Sequence, residues 1–153
     1  MDALHKQIQD TYKQAWYDLL REKVASEPPD FDWIVNLYKE IREKLTYFLK
    51  KGSRFRVEIE EGMDVEIFDQ MIRHGAFKGP EFEALVTFVF DKSLKLGSAG
   101  RDKDTKALCK EVIDALYNGA PFSELVPLFF KNANIVVDWL HEDFSNIKKN
   151  LEH

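Results

Sequence analysis

Residues 53–64 read SRFRVEIEEGMD, and how they are read decides the fold. Phe55, Val57 and Ile59 alternate with Arg54, Arg56 and Glu58, which is the period of a β-strand. The first half is basic, the second half acidic, and nothing else in the chain alternates this way. A lone strand leaves its backbone N–H and C=O groups unpaired, and each such group costs about 1–3 kcal/mol when buried. With no second strand to pair with, the strand reading needs a partner molecule and the helix reading needs none. Ser53 is placed to N-cap a helix, Phe55, Ile59 and Met63 fall four apart on one face, and Gly62 is placed to stop it. The expectation is a short helix, against the local β-propensity of Phe, Val and Ile. On that helix Arg54 and Glu58 pair one turn apart.

Working outward, the surroundings are helical. Leu4, Ile8, Tyr12, Trp16, Leu19 and Leu20 form the stripe of a first helix that runs to about Ala25. Pro28-Pro29 breaks the chain and Asp30 caps a second helix, with Ile34, Leu37, Tyr38, Ile41, Leu45, Phe48 and Leu49 inward and Gly52 as its end. Another helix comes after Asp64, with Ile67, Phe68, Met71 and Ile72 inward and Gly75 as its stop. Gly79-Pro80 opens a helix that is apolar nearly all round through Phe82, Leu85, Val86, Phe88, Val89 and Phe90, the signature of a central helix. Asp102 caps the next, which ends at Gly119. Pro121 restarts the chain, and Pro127 either bends the segment after it or lies near a helix start. Ile135, Val136, Trp139, Leu140, Phe144 and Ile147 line the last helix. The expected fold is all-α, an irregular single-domain bundle of six to eight helices over residues 1–150, built around the helix at 80–96. The final Leu151, Glu152 and His153 resemble the remnant of a vector-encoded histidine tag.

Bulk properties agree with one soluble domain. The chain has 153 residues, 44% hydrophobic and 32% charged, with twelve Phe, five Tyr and three Trp. A domain this long buries about 68–70% of its unfolded surface and needs no covalent staple. The net charge of −5 disfavours nucleic acid as main partner, because that partner selects a basic face. A single cysteine, Cys109, fits a reducing compartment. The polar N-terminus reads as no signal peptide, and no apolar run reaches the ~20 residues of a membrane span. The reading is cytoplasmic or nuclear.

The residues AWYDLLREKVASEPPDFDWIVNLYKEIREKLTYFL at 15–49 carry Ala15-Trp16 followed by Asp18 and Leu20, then Ser26-Glu27-Pro28-Pro29, Phe31-Asp32 and the run EIREKL from Glu40 to Leu45. The pattern continues through GSRFRVEI at 52–59 and GAFKGPEFEALVTFV at 75–89. At LGSAGRD, Leu96, Arg101 and Asp102 keep the spacing, while Gly97, Ser98 and Ala99 stand where Cys, Ala and Pro are usual. This ordered series resembles the T-complex protein 11 family, well over residues 8–108 and loosely beyond. Family members are much longer, so the chain looks like the N-terminal part of their domain. The resemblance implies a helical fold without established catalytic activity, linked to cyclic-AMP and protein kinase A signalling. It also implies a helix at 53–62.

No chemical constellation stands out beside it. His141-Glu142 has Ser145 where a metalloprotease helix needs its second His, and His5 and His74 lie on other elements. DKDTKALCKEVI from Asp102 has Lys106, Ala107 and Ile113 at positions where a calcium loop requires a ligand, Gly and Glu. Cys109 has no orienting His and reads as a half-buried structural thiol. Glu58, Glu60, Glu61, Asp64 and Glu66 read as a solvated face. Gly100 and Arg101 in the loop GSAGRD are either a plain interhelical connection, the favoured reading, or an anion site at a helix N-terminus. Lys50, Lys51, Arg54 and Arg56 form the densest basic cluster of an acidic chain. They either pair with Glu58, Glu60 and Glu61 or offer a surface to a partner. Part of that cluster is neutralised in place, which leaves Lys50, Lys51 and Arg56. The function expected is a non-catalytic protein-interaction module, with no metal and no cofactor, whose partner-binding surface is Lys50–Arg56. The alternative is a basic patch that binds anionic lipid or nucleic acid. Neither the partner's identity nor an oligomeric state follows from the residues.

Overall fold

Seven α-helices and one 3-10 turn make up the regular structure of the computed structural model, which describes residues 2–152. Met1 and His153 lie outside the described residues, so the suspected tag remnant is described only as far as Glu152. The helices are α1 (Asp2–Ala25), α2 (Phe31–Thr46), α3 (Arg54–Gly62), α4 (Val65–Arg73), α5 (Gly79–Leu96), α6 (Asp102–Tyr117) and α7 (Phe122–Glu152). Among the described residues no strand occurs, and the fold is the expected all-α bundle.

The deciding stretch is helical, for the reason expected. Ile59 and Met63 are completely buried and Phe55 packs beside them, so the four-residue period, not the alternation, meets the core. Two details differ. Ser53 holds the N-cap position in extended backbone, but its hydroxyl makes no capping bond. Gly62 is the last helical residue rather than a left-handed stop. A Cβ there would lie 2.3 Å from the tip of the Phe88 ring, so any larger residue at 62 forces that ring to shift where α3 approaches α5.

Other starts and stops obey local chemistry. Asp30 accepts from Trp33 N at 3.1 Å and Asp64 from Ile67 N at 3.1 Å. Lys78 N donates to Glu81 Oε2 at 3.2 Å, which closes the first turn of α5. Asp102 is the first residue of α6 rather than its cap, because the 3-10 turn Ala99–Arg101 leads directly into the helix. α2 stops at Thr46, whose hydroxyl bonds back to the Arg42 carbonyl, and residues 47–52 turn out of the helix with Gly52 at φ +80°. Pro127 sits near the start of α7, which continues unbroken through it.

The centre of the bundle is α7, not α5. α7 packs against α1, α2, α5 and α6, whereas α5 packs on α6 and α7 and meets α3 through Gly62–Phe88 and Glu58–Lys92. α7 is the longer, at 31 residues against 18, and so packs against four other helices. Phe82 and Phe90 of α5 meet Phe129 of α7 edge-to-face, and buried Phe130 packs tilted beside Phe129. Ile67 of α4 was expected inward and is exposed. The stripe of α1 departs further. Leu20 and Val24 are buried, but Leu4, Ile8 and Tyr12 are 60%, 47% and 74% exposed.

Candidate interaction groove

The basic cluster divides in two. Lys50, Lys51 and Arg54 are exposed. Arg54 nevertheless lies 3.3 Å from Glu58, the expected pair one turn apart. Arg56 is only 20% exposed in its side chain, and its Nη1 donates to the Leu49 carbonyl at 2.7 Å. Its Nε lies 3.6 Å from Glu60 Oε1, within ion-pair reach but beyond hydrogen-bond length. Arg56 therefore holds the turn after α2 against α3 and is not left over for a partner.

Glu58 has a second cation that was not singled out in the sequence. Lys92 of α5 donates to Glu58 Oε2 at 2.9 Å, and its ammonium lies 4.9 Å from the centre of the Phe55 ring and 5.4 Å from that of Phe88. The hydrogen bond and charge of Lys92, aided by Arg54, hold the Glu58 carboxyl below its ordinary range. A lysine one turn after Phe88, on a helix apolar nearly all round, was the available signal.

At the proposed anion loop the structure places carboxylates around Arg101. Its Nη2 lies 3.5 Å from Asp143 and 3.6 Å from Glu142, and its guanidinium stacks 5.0 Å from the Trp139 ring. Ser98 Oγ donates to Asp143 as well, at 3.4 Å. Gly100 is exposed with open space beside it. The charge an anion would need is already answered by α7. The loop is a connection that docks on α7, and the cavity beneath it, about 10 Å³, barely holds one water.

The remaining histidine and cysteine have structural surroundings. His141 Nε2 lies 3.0 Å from the Lys44 carbonyl, and its ring packs on Tyr47 and Phe48. Burial pushes the Cys109 thiol up. Among the described residues no three His, Cys, Asp or Glu side chains converge to hold a metal ion.

A wider opening lies elsewhere. A groove of about 730 Å³ runs between α1, α2 and α7. Tyr12, Trp16, Tyr17 and Trp139 line it, together with the cations Lys13, Lys44 and Lys131 and the acids Asp10, Glu40, Asp138 and Glu142. Lys131 lies 5.0 Å over the Tyr17 ring, and Lys44 lies 3.6 Å from Asp138 and 3.3 Å from Asn134 Oδ1. His141, next to Glu142 of the groove in sequence, packs on the exposed rings of Tyr47 and Phe48, which precede Lys50 and Lys51 in the chain. Its lining comes from three helices far apart in sequence, which is why no local motif marked it. Among the described residues no helix is long and apolar enough to cross a membrane.

Comparison with known proteins agrees with the motifs. The T-complex protein 11 family model matches residues 1–148. Human T-complex protein 11 homolog is 38% identical over 77 residues, which is 50% of this chain and 15% of that protein. Mouse T-complex protein 11 is 35% identical over 74 residues, covering 48% of this chain and 13% of the relative. Human T-complex protein 11-like X-linked protein 1 is 37% identical over 67 residues, 43% of this chain and 13% of its own length. The match thus spans only 13–15% of these relatives. No solved structure matches the chain. A family model covering nearly the whole chain, on the helical fold its motifs imply, places this protein in the T-complex protein 11 family.

Proposed function

We propose that this chain is a non-catalytic protein-interaction module that receives a partner along the groove between α1, α2 and α7. The observation that carries the reading is the groove itself, an open channel of about 730 Å³ lined by aromatic rings and by charges of both signs. Partner-binding centres are rich in Trp, Tyr and Arg and surrounded by polar rims, whereas a small-molecule site encloses its ligand. Tyr38, Glu58, Arg73, Cys109 and Tyr117, the groups whose protonation the fold displaces, all lie outside the groove. That is the opposite of a site tuned for acid–base work. The exposed Lys50, Lys51 and Arg54 extend the surface beyond Phe48. The composition suggests a cytoplasmic or nuclear place, and the family resemblance implies a setting in cyclic-AMP-linked signalling.

Tyr17→Ala/Lys131→Glu tests the groove, and Lys50→Glu/Lys51→Glu/Arg54→Glu tests its extension. Capture from source lysate, quantified by mass spectrometry, should lose the same protein in the groove variant by about tenfold or more while helical content is kept. Equal capture by wild type and groove variant would sink the reading. The second reading, anionic lipid or nucleic acid on Lys50, Lys51 and Arg54, rests on the exposure of these three cations in an acidic chain. It calls for binding to anionic vesicles or RNA that falls steeply with salt and vanishes in the charge-reversal variant.

A further inference from the structure

A second hollow, of about 350 Å³, lies between α4 and α5 and shares no residue with the groove. α4 packs on α2 rather than closely on α5, so the space between α4 and α5 stays open. Ile67 and Met71, one turn apart on α4, line it with Leu85 and Phe88 of α5. Ile67, expected to face the core, faces this hollow instead and is 55% exposed. Ala84, small and exposed, lets another backbone come close to α5.

The charges around the hollow are all of one sign. Glu61, Asp64 and Glu81 line it, and among the described residues no Lys, Arg or His does. None of the three carboxylates has an ion-pair partner among the described residues. Asp64 Oδ1 and Glu81 Oε2 accept from backbone N–H groups, which leaves the second oxygen of each free. The acids stand at both ends. Gly62 approaches the Phe88 ring, so Glu61 and Asp64 flank the Phe88 end. Glu81 precedes Phe88 by seven residues on α5, about 10.5 Å along the axis.

Tyr38 supplies an independent observation. It lines the hollow at only 4% exposure, with its ring stacked on Phe68 at 4.0 Å. Its hydroxyl has no hydrogen-bond partner among the described residues, and yet is not sealed from the hollow. Burial pushes its pKa up, with Arg42 opposing the rise and Asp64 adding to it, which sets the hydroxyl near the Asp64 end. Arg42 itself donates to the Glu60 carbonyl at 3.2 Å and does not line the hollow. A hydroxyl buried this far normally has a partner, and here the partner must come from outside the chain.

We propose that this hollow receives a basic amphipathic helix of a partner protein, its apolar side chains between Ile67 and Leu85 and a Lys or Arg at each end. At the Phe88 end the cation meets Glu61 and Asp64 and donates to the Tyr38 hydroxyl oxygen. At the other end a second cation meets Glu81. Two residues seven apart on a helix lie about 10.5 Å apart on one face, with the third and fourth positions between them on the same face. That is the spacing of the acids and of the apolar walls. A single amine is too short to answer both ends, and a nucleic acid or an anionic lipid meets only like charge. The site stands independently of the groove between α1, α2 and α7.

Fluorescence anisotropy of the full chain tests this with a labelled alanine-based helical peptide of about 18 residues. The peptide carries a pair of Lys two turns apart that bracket a pair of Leu. It should bind with a Kd of roughly 10–100 µM at low salt, and the same peptide with Glu in place of Lys at least about tenfold more weakly. Ile67→Gln and Glu61→Lys should each weaken the Lys peptide about three- to tenfold with Tm unchanged, because both side chains are exposed. Tyr38→Phe, which removes a hydroxyl that bonds nothing in the fold, should weaken it as well and leave Tm unchanged. Tyr17→Ala/Lys131→Glu, in the groove, should leave binding as in wild type. No binding by about 1 mM overturns the proposal, as does equal binding of the Lys and Glu peptides. Binding that is lost in the groove variant and kept in Ile67→Gln overturns it too, and places the peptide in the groove.

Discussion

The seam between α3 and α5 and the groove between α1 and α7 use the same chemistry, a lysine over aromatic rings, to opposite effect. In the seam, Lys92 lies over Phe55 and Phe88, is only 11% exposed in its side chain, and is neutralised by Glu58. The backbone of Gly62 closes against the tip of the Phe88 ring, which a methyl group there would have to displace. In the groove, Lys131 lies over Tyr17 with solvent around it and about 730 Å³ of open space beside it. Composition does not separate the two. What separates them is whether the charge is answered inside the fold and whether the helices close. Where both hold, the contact is structural, and where neither holds, cation and ring remain available to another molecule.

The strongest way to break this contrast is to force the seam open. Gly62→Val drives side-chain atoms into the Phe88 ring and should cost about 3 kcal/mol, or roughly 6–12 °C in Tm for a chain of this size. Thermal unfolding by circular dichroism measures it, and an unchanged Tm would show that the seam is as loose as the groove. Next in size is Lys92→Ala, which removes the buried stem and the partner of Glu58. The expected loss is about 1–2 kcal/mol, below that for a fully buried pair, because Glu58 is partly exposed and keeps Arg54. Lys92→Met, which keeps the stem, should stay within about 1 kcal/mol of wild type. Denaturant unfolding of the two variants therefore separates packing from charge. Equal losses in both would assign the stabilisation to the ion pair.

The same contrast explains which parts of the molecule were legible in the sequence. Caps and periods are local, so Asp30, Asp64, Gly75 and the helical faces of α2 and α3 could be read without the fold. Residues 53–62 needed one non-local fact, the absence of a second strand, and that too was legible. The groove was not. Trp16, Tyr17, Lys44, Lys131 and Trp139 meet only after three helices pack, and each taken alone looks like a core aromatic or a solvated lysine. Arg56 was misread for a related reason, since its partner is the carbonyl of Leu49, and a turn's free carbonyl leaves no mark in sequence. The stripe of α1 was read correctly as a helical face and wrongly as a core face. Periodicity tells which residues share a side and is silent on what covers it.

A smaller effect separates the seam from the groove by pH. Lys92, and after it Arg54, hold Glu58 below its usual value of 4.5. A carboxylate lowered on folding adds stability above its unfolded pKa and loses it as pH falls through the lower, folded one. Glu58→Gln should therefore flatten the acid limb of the Tm-against-pH curve below about pH 4.5 and leave its shape near neutrality unchanged. An acid limb identical to wild type would mean the Lys92 contact is not maintained in solution.

The smallest effect on stability belongs to the groove, and there the expected value is near zero. Lys131→Glu alters an exposed side chain whose contact is a ring at the surface, so the change should stay within about 0.5 kcal/mol. Unfolding that matches wild type, together with lost partner capture, places Lys131 in an interface. Unfolding that falls as far as in Lys92→Ala would make the cation over Tyr17 a structural contact like the one over Phe88. The groove would then be a gap between helices that hold one another rather than a surface held open for a partner.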